Sequence, residues 1–343
     1  MSGFHRTGGA ICVRLSGFVA SSSLLQRRPA HWVVAFVVVL AGARLLAQTH
    51  PSTTVAGLET IRIRPNVYVI FGAGANVTVH TGEDGVILVD TGSADKADSV
   101  LQAVRAITKD PIRLIINTGA DPDHVGGNEK IAPMGVALNP DSFGDQDHAT
   151  VFGHERVLLR MSAPGPAAFP IDAWPTETYT SRLRSMYIND EPIQVIRQVG
   201  AHSDADSMVL FRKADVIVTG DVLDLRQFPV IDAKNGGGIQ GELDGLNRIL
   251  DDAVPNMPMV TKPGRTFVVP GHGYVSDYGE VVEYRDMVTV IKDIIEDMIK
   301  KGMTLPQVKA ANPTKGYRGR YGRDSGPWTT DMFVEAVYNG LKK

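Results

Sequence analysis

The chain of 343 residues contains a single cysteine, Cys12. No intrachain disulfide can form, and no thiolate cluster can hold a metal, so any metal site must be built from His, Asp or Glu. An excess of charge is also missing. With 35 Lys and Arg against 38 Asp and Glu, the formal net charge is −3, and without a basic field nothing favours nucleic acid as a partner. The glycine run at 236–238 lacks the Lys-Ser/Thr that follows in a phosphate-cradling P-loop, so it reads as a flexible rim loop. Acidic residues are absent from residues 1–43, which hold four arginines, Arg6, Arg14, Arg27 and Arg28. The apolar run within that stretch, 32–40 (WVVAFVVVL), is short of the roughly 20 residues of a membrane span.

What is present at the N-terminus is an ordered series: basic residues, an apolar run, then Ala41-Gly42-Ala43. That order is read as a secretory signal peptide over 1–43, with an uncleaved membrane anchor as the alternative. Cleavage would remove Cys12 and four positive charges, taking the net charge from −3 to −7. The expected protein is therefore exported, periplasmic or secreted, and touches a membrane only if the segment stays attached. Residues 44–58 read as a linker, 59–301 as the main domain and 302–343 as a helical C-terminal extension.

Within 59–301 the apolar spacing alternates between two kinds. Short β-rich runs at 67–71 (VYVIF), 75–80 (ANVTVH) and 86–89 (VILV), separated by glycine-containing turns, predict antiparallel strands. Residues 96–108 carry Val100, Leu101, Val104 and Ile107 at helical spacing, and 112–116 (IRLII) is a buried strand. Strands are also expected at 193–199, 208–211, 216–218 and 267–269, and helices at 243–250 and 281–301. Residues 148–161, with His148 and His154, read as a solvated helix or its edge. His80 reads as an ordinary strand residue. Trp174, Tyr179 and Phe228 are read as packing aromatics, with a pocket rim as the second possibility.

Several strand ends finish in polar clusters: Asp121 to His124, His202 to Asp206, Asp221, and residues 270–273. An α/β scaffold gathers ligands from distant sequence in this way, with chemistry at the carboxyl ends of its strands. Imidazole and carboxylate without sulfur suit zinc, iron or manganese.

These clusters carry a resemblance. Asn117-Thr118, followed by Asp123-His124-Val125-Gly126-Gly127-Asn128, resembles the metal loop of the metallo-β-lactamase superfamily, which typically reads T-H-x-H-x-D-H-x-G-G. Residues 201–207 (AHSDADS), Thr219-Gly220-Asp221, Gly271-His272-Gly273 and Val89-Asp90-Thr91-Gly92 are similar to the family's other site motifs and stand in its order. The resemblance covers about residues 60–290 and implies an αββα sandwich of two mixed β-sheets flanked by helices. It also implies Asp123, His124, Asp221 and His272 as metal ligands, with His202 as a further one, and a structural role for Asp90 beneath the site.

The departure from the family matters as much. The first two histidines of the family's loop fall on Gly119 and Asp121. One metal ion is therefore expected, zinc first, with iron or manganese open, and Asp121 is either a metal contact or a loop carboxylate. The implied function is an exported metal-dependent hydrolase of an ester, thioester, lactone or lactam, in which Asp123 or Asp121 accepts a proton from water. The alternative is a non-catalytic protein that binds a small molecule in a drifted site. Oligomeric state is not written in the sequence.

Overall fold

The computed structural model describes residues 52–138, 147–165, 168–256 and 264–342. The signal or anchor segment, Cys12 and the first part of the linker lie outside them. Among the described residues no helix is long and apolar enough to cross a membrane.

Period-two alternation of apolar residues generates two stacked sheets. The first has eight strands in sequence order: β1 (Ser52–Val55), β2 (Leu58–Arg64), β3 (Val67–Phe71), β4 (Val77–Gly82), β5 (Gly85–Val89), β6 (Ile112–Ile116), β7 (Thr150–His154) and β8 (Glu177–Tyr179). It is antiparallel through β5, then parallel from β5 to β8. The second sheet runs β13 (Phe267–Val269), β12 (Val216–Val218), β11 (Ser207–Phe211), β10 (Glu191–Arg197), β9 (Leu183–Ile188). Only its β12–β13 pair is parallel.

Side chains sort by parity. In β5, Ile87 and Val89 face the second sheet while Val86 and Leu88 face outward, towards α1 (Ala97–Ile107). In β11, Val209 and Phe211 enter the core between the sheets, and Met208 and Leu210 enter the outer one. That outer core is closed by α5 (Ile239–Asp252) and α6 (Tyr278–Lys300). The layers are helix, sheet, sheet, helix, each apolar face covered by the next. Short helices α2 (Pro122–Val125), α3 (Asn128–Ile131) and α4 (Glu155–Met161) lie in the loops after β6 and β7.

Two stretches differ from the sequence expectation, and a third, the extension, is helical as expected. Ser52–Val55, read as linker, pairs with Leu58–Ile61 as the edge of the first sheet. His154 ends a buried strand, and its Nδ1 accepts from the Arg156 N–H at the start of α4. A strand passing directly into a helix, with histidine as the cap, leaves no turn residue in the sequence to mark the change. The extension 302–343 forms α7 (Leu305–Ala311), α8 (Arg318–Tyr321) and α9 (Thr330–Leu341), and buries Val308, Tyr321, Phe333 and Val337 in the same core as α5 and α6.

Phe333 stacks on Phe228 with ring centroids 5.0 Å apart. Truncation of a fully buried phenylalanine typically costs about 3–5 kcal/mol, so Phe333→Ala is expected to lower the unfolding free energy from denaturant melts by that much. A change under about 1 kcal/mol would mean that the extension is not part of the core.

Candidate metal centre

Every loop that carries a candidate ligand opens at one edge of the sandwich, and backbone hydrogen bonds tie the loops together. After β6, the Asp121 carbonyl accepts from the His124 and Val125 N–H groups and starts α2, with Pro122 at its first position. This turn presents Asp123 and His124. Beyond β12, the Gly220 N-terminal to Asp221 has φ 54, and a Cβ there would stand 2.6 Å from Thr118 Oγ1. Gly271 N–H then donates to the Gly220 carbonyl at 2.8 Å, bringing His272 alongside Asp221.

Three further residues hold the ligands in place. Asp90 accepts from Thr118 N–H at 2.8 Å and Thr118 Oγ1 at 2.6 Å, and its Oδ2 lies 2.7 Å from His124 Nδ1. His124 is thereby held with Nε2 turned to the cluster. This is the structural role expected of Asp90. His202 Nδ1 donates to the Val230 carbonyl at 2.8 Å, which leaves its Nε2 to the cluster as well. Asn76, which the motifs did not single out, donates its side-chain amide to the carbonyls of Pro270 and Gly273 at 2.9 Å each and so anchors the His272 turn. An asparagine opening a strand after a glycine turn carries no signal of that role, because its partners lie almost 200 residues away.

The glycine run has a different reason from the one expected. A Cβ on Gly237 would meet the His202 carbonyl oxygen at 2.0 Å. These glycines let one chain segment pass closely over the ligand loop; they are not a flexible rim. The rim aromatics are packing residues in two cases: Tyr179 is buried and bonded to Ser207 at 2.7 Å, and Phe228 is buried against Phe333. Trp174 is half-buried, with its indole N–H on the Phe169 carbonyl. His80, read as ordinary, is wholly buried and stacks on Phe211.

The ligand atoms form two groups that share one wall. Asp123, His124 and His272 offer atoms all within 4.8 Å of one another, and so do Asp121, His202 and Asp221. Asp221 joins them: its Oδ1 is 3.1 Å from His124 Nε2 and 3.4 Å from His272 Nε2, and its Oδ2 is 4.0 Å from His202 Nε2. Asp121 faces His202 at 3.3 Å. All six sequence candidates are thus brought together, Asp121 included. Gly119 is buried, yet a Cβ there would meet only Asp121 Oδ2, at 3.7 Å. The gap left by the missing histidine has not collapsed.

The donor set fits a divalent cation. His124 Nε2, His202 Nε2 and Asp221 Oδ1 are buried and converge, and they meet the charged groups of the cluster itself, His124 with Asp221 at 3.1 Å and His202 with Asp121 at 3.3 Å, rather than a neutral hydrogen-bond partner. Buried polar atoms are almost always paired, so their shared partner is best supplied by an ion. The electrostatics agree. Burial alone would pull the His124 and His202 pKa values down, but Asp221 and Asp90 around the first, and Asp121 and Asp221 around the second, raise both well above the ordinary imidazole value. Burial would raise Asp221, and His124, His202 and His272 hold it far below the usual carboxylate range. Without metal, protons fill the place of the cation.

The family model of the metallo-beta-lactamase superfamily matches residues 70–286. No curated protein matches. Among solved structures, the stereoselective inverting sec-alkylsulfatase Pisa1 from Pseudomonas sp. superposes with a TM-score of 0.56 at 15% identity, covering 82% of this chain and 49% of that one. A double mutant of the same sulfatase gives 0.59 with equal coverage. This chain therefore spans about half of the sulfatase. A metallo-beta-lactamase from Pontibacter korlensis gives 0.52 at 16% identity, covering 68% of this chain and 99% of that one. At these identities the likeness concerns the fold.

Two outcomes are expected. Asp90→Asn leaves a residue that tolerates the left-handed backbone of this position, φ 62, but loosens His124. Metal affinity should fall about 10- to 100-fold, as for other residues that orient a ligand, and an unchanged affinity in a metal titration would remove Asp90 from this role. The second concerns pH. Raised imidazole values stabilise the chelator-treated protein fully below about pH 6.5, the unfolded value, and the benefit is lost as pH climbs through the higher folded values. Depressed Asp221 and Asp123 values act above about pH 4 and are lost on acidification. The metal-free protein should therefore melt at its highest temperature between those limits and weaken through neutrality; a melting temperature flat from pH 6 to 9 would contradict the assignment.

Proposed function

The chain belongs to the metallo-beta-lactamase superfamily, and on that premise we propose that it is an exported, metal-dependent hydrolase of a small ester, thioester, lactone or lactam. The observation that carries the reading is the convergence of buried ligand atoms on Asp221. Asp123, His124 and His272, with Asp221 beside them, would hold one ion, zinc first. A bound divalent metal supplies Lewis acidity, polarising a carbonyl and acidifying a water.

The chain's own residues do the rest. Asp123, kept low in pKa by His272 and His124 against the opposing effect of burial, stays a carboxylate at neutral pH. Asp121 lies outside the Asp123 group, is about one-third exposed and opens onto the pocket. It takes the proton of the attacking water, and the His202 imidazole, whose Nε2 lies 3.3 Å from the Asp121 carboxylate, positions it as the donor of the pair. The pocket encloses about 260 Å³, which suits a small substrate. A larger recess of about 560 Å³ beside Glu83, Arg113 and Tyr187 contains none of the ligands and takes no part.

A second reading is supported by the closeness of Asp121, His202 and Asp221: a second ion bound there, with Asp121 as ligand in place of the family's histidine. His202→Ala separates the two. It removes one of two bound ions under the second reading and leaves a single bound ion under the first.

The test of the function is hydrolysis of 4-nitrophenyl acetate, a thioester, a γ-lactone and a β-lactam by chelator-free protein, with loss of turnover in chelator and recovery with zinc. Asp121→Asn is expected to lower kcat by about 100-fold, the scale of a lost general base, with its metal retained. The double variant Gly119→His, Asp121→His should lower activity if the altered loop is the working design. Turnover that begins only in that double variant would favour a drifted, non-catalytic site.

A further inference from the structure

The wall of the pocket facing the ligands has no part in the chemistry above. It is made by two segments distant in sequence: Asp224 to Val230, which follows the Asp221 turn, and Pro327-Trp328 from the C-terminal extension. Both are fixed with a care that simple loop closure does not need.

Arg226 is held from behind. Asp224, buried beneath the surface, accepts from Arg226 Nε at 3.1 Å, Arg226 Nη2 at 3.2 Å, the Arg226 N–H at 2.9 Å and Gln227 Nε2 at 2.8 Å. The carboxylate is fully used in locking one edge of the guanidinium. The other edge is not used: among the described residues Arg226 Nη1 has no hydrogen bond or ion pair, and the side chain is about half exposed on the pocket. A guanidinium fixed on one edge presents its remaining donors in the planar geometry that suits a carboxylate, sulfonate or phosphate.

Trp328 is fixed as firmly. Its loop is closed at the base by reciprocal bonds, Thr330 N–H to the Arg323 carbonyl at 2.9 Å and Arg323 N–H to Thr330 Oγ1 at 2.9 Å. The indole N–H donates to the Pro229 carbonyl at 3.1 Å, so that the ring is tied to the opposite segment. Beneath, Phe228 N–H bonds the Tyr321 carbonyl and Phe228 stacks on Phe333. The indole's only polar atom is satisfied; part of the half-buried ring packs on the core, and part lines the pocket as an apolar surface for a ligand.

We propose that Arg226 and Trp328 are the specificity-determining pair of this site, and that its substrate is a small aromatic molecule bearing an anionic group. The proposal rests on the hydrolase reading for the identity of the reacting bond, but it concerns binding and is tested without turnover. The cavity of about 260 Å³ leaves room for a ring system and its anionic substituent, and little else. Asp121, Asp123 and Asp221 line the same pocket, so an anionic group is favoured at the Arg226 side of it, where a cation offsets their charge.

The test is equilibrium binding of 2-naphthoate and its neutral isostere 2-naphthamide to the zinc-loaded protein, followed by calorimetry. The acid should bind about tenfold or more tightly than the amide, the scale of one charge-assisted hydrogen bond. Arg226→Gln should abolish that preference with zinc content retained, and Arg226→Lys, which keeps the charge against Asp224 but not the fork, should reduce it. Trp328→Ala should weaken both ligands, with Trp328→Phe restoring them in part. Equal binding of acid and amide, no binding of either, or a preference that survives in Arg226→Gln because the anion sits on the metal alone would each overturn the proposal. Absence of hydrolysis in every substrate class with this binding pattern intact would instead overturn the hydrolase reading.

Discussion

Placing the Asp221 carboxylate among three imidazoles, with Asp121 and Asp123 on either side, imposes the constraint around which this molecule is organised. Charged groups are costly to remove from water unless paired, and here the pairing is internal to the cluster. His124 Nε2, His202 Nε2 and Asp221 Oδ1 are met by the other charged members of the cluster and not by a neutral partner. They can be stable in this arrangement only with protons or a cation shared between them. Polar groups around the cluster keep its members from relaxing away: Asp90 and Thr118 behind His124, the Val230 carbonyl behind His202, and Asn76 behind the His272 turn.

The sandwich supplies the rigidity that this requires. Strands buried on both faces bring β5, β6, β12 and β13 side by side in two sheets, and their carboxyl ends release the ligand loops at one edge. The loops are then tied to one another by main-chain bonds, such as Asn76 N–H to the Gly271 carbonyl and Ser207 N–H to the Thr118 carbonyl. The C-terminal helices belong to this framework: they bury Phe333 and Val337 against α6, and the same packing places Trp328 at the pocket. Stability and pocket shape are thus set by one set of contacts.

Much of this was legible in the sequence where the information is local. The apolar runs of β3, β12 and β13 coincide with the observed strands to the residue. The strand-end motifs bring Asp123, His124, Asp221 and His272 together as the resemblance implied. What could not be read depends on partners far along the chain. Asp121 pairs with His202, 81 positions away, only because α2 turns its N-terminal residue that way. Gly236 to Gly238 look like a mobile loop until the His202 carbonyl is seen beneath Gly237. His154 sits at a junction of strand and helix with no breaker residue. Arg226 and Trp328 lie outside any motif, and their relation to the site is created by tertiary packing alone.

The central claim is that the altered loop still builds a metal centre. Elemental analysis of protein purified without chelator tests it most directly. About one equivalent of a transition metal per chain is expected, zinc first, lost when His124 is replaced by alanine, because ligands and ion form one linked unit. Less than about a tenth of an equivalent of any transition metal, unchanged after dialysis against zinc, would contradict it.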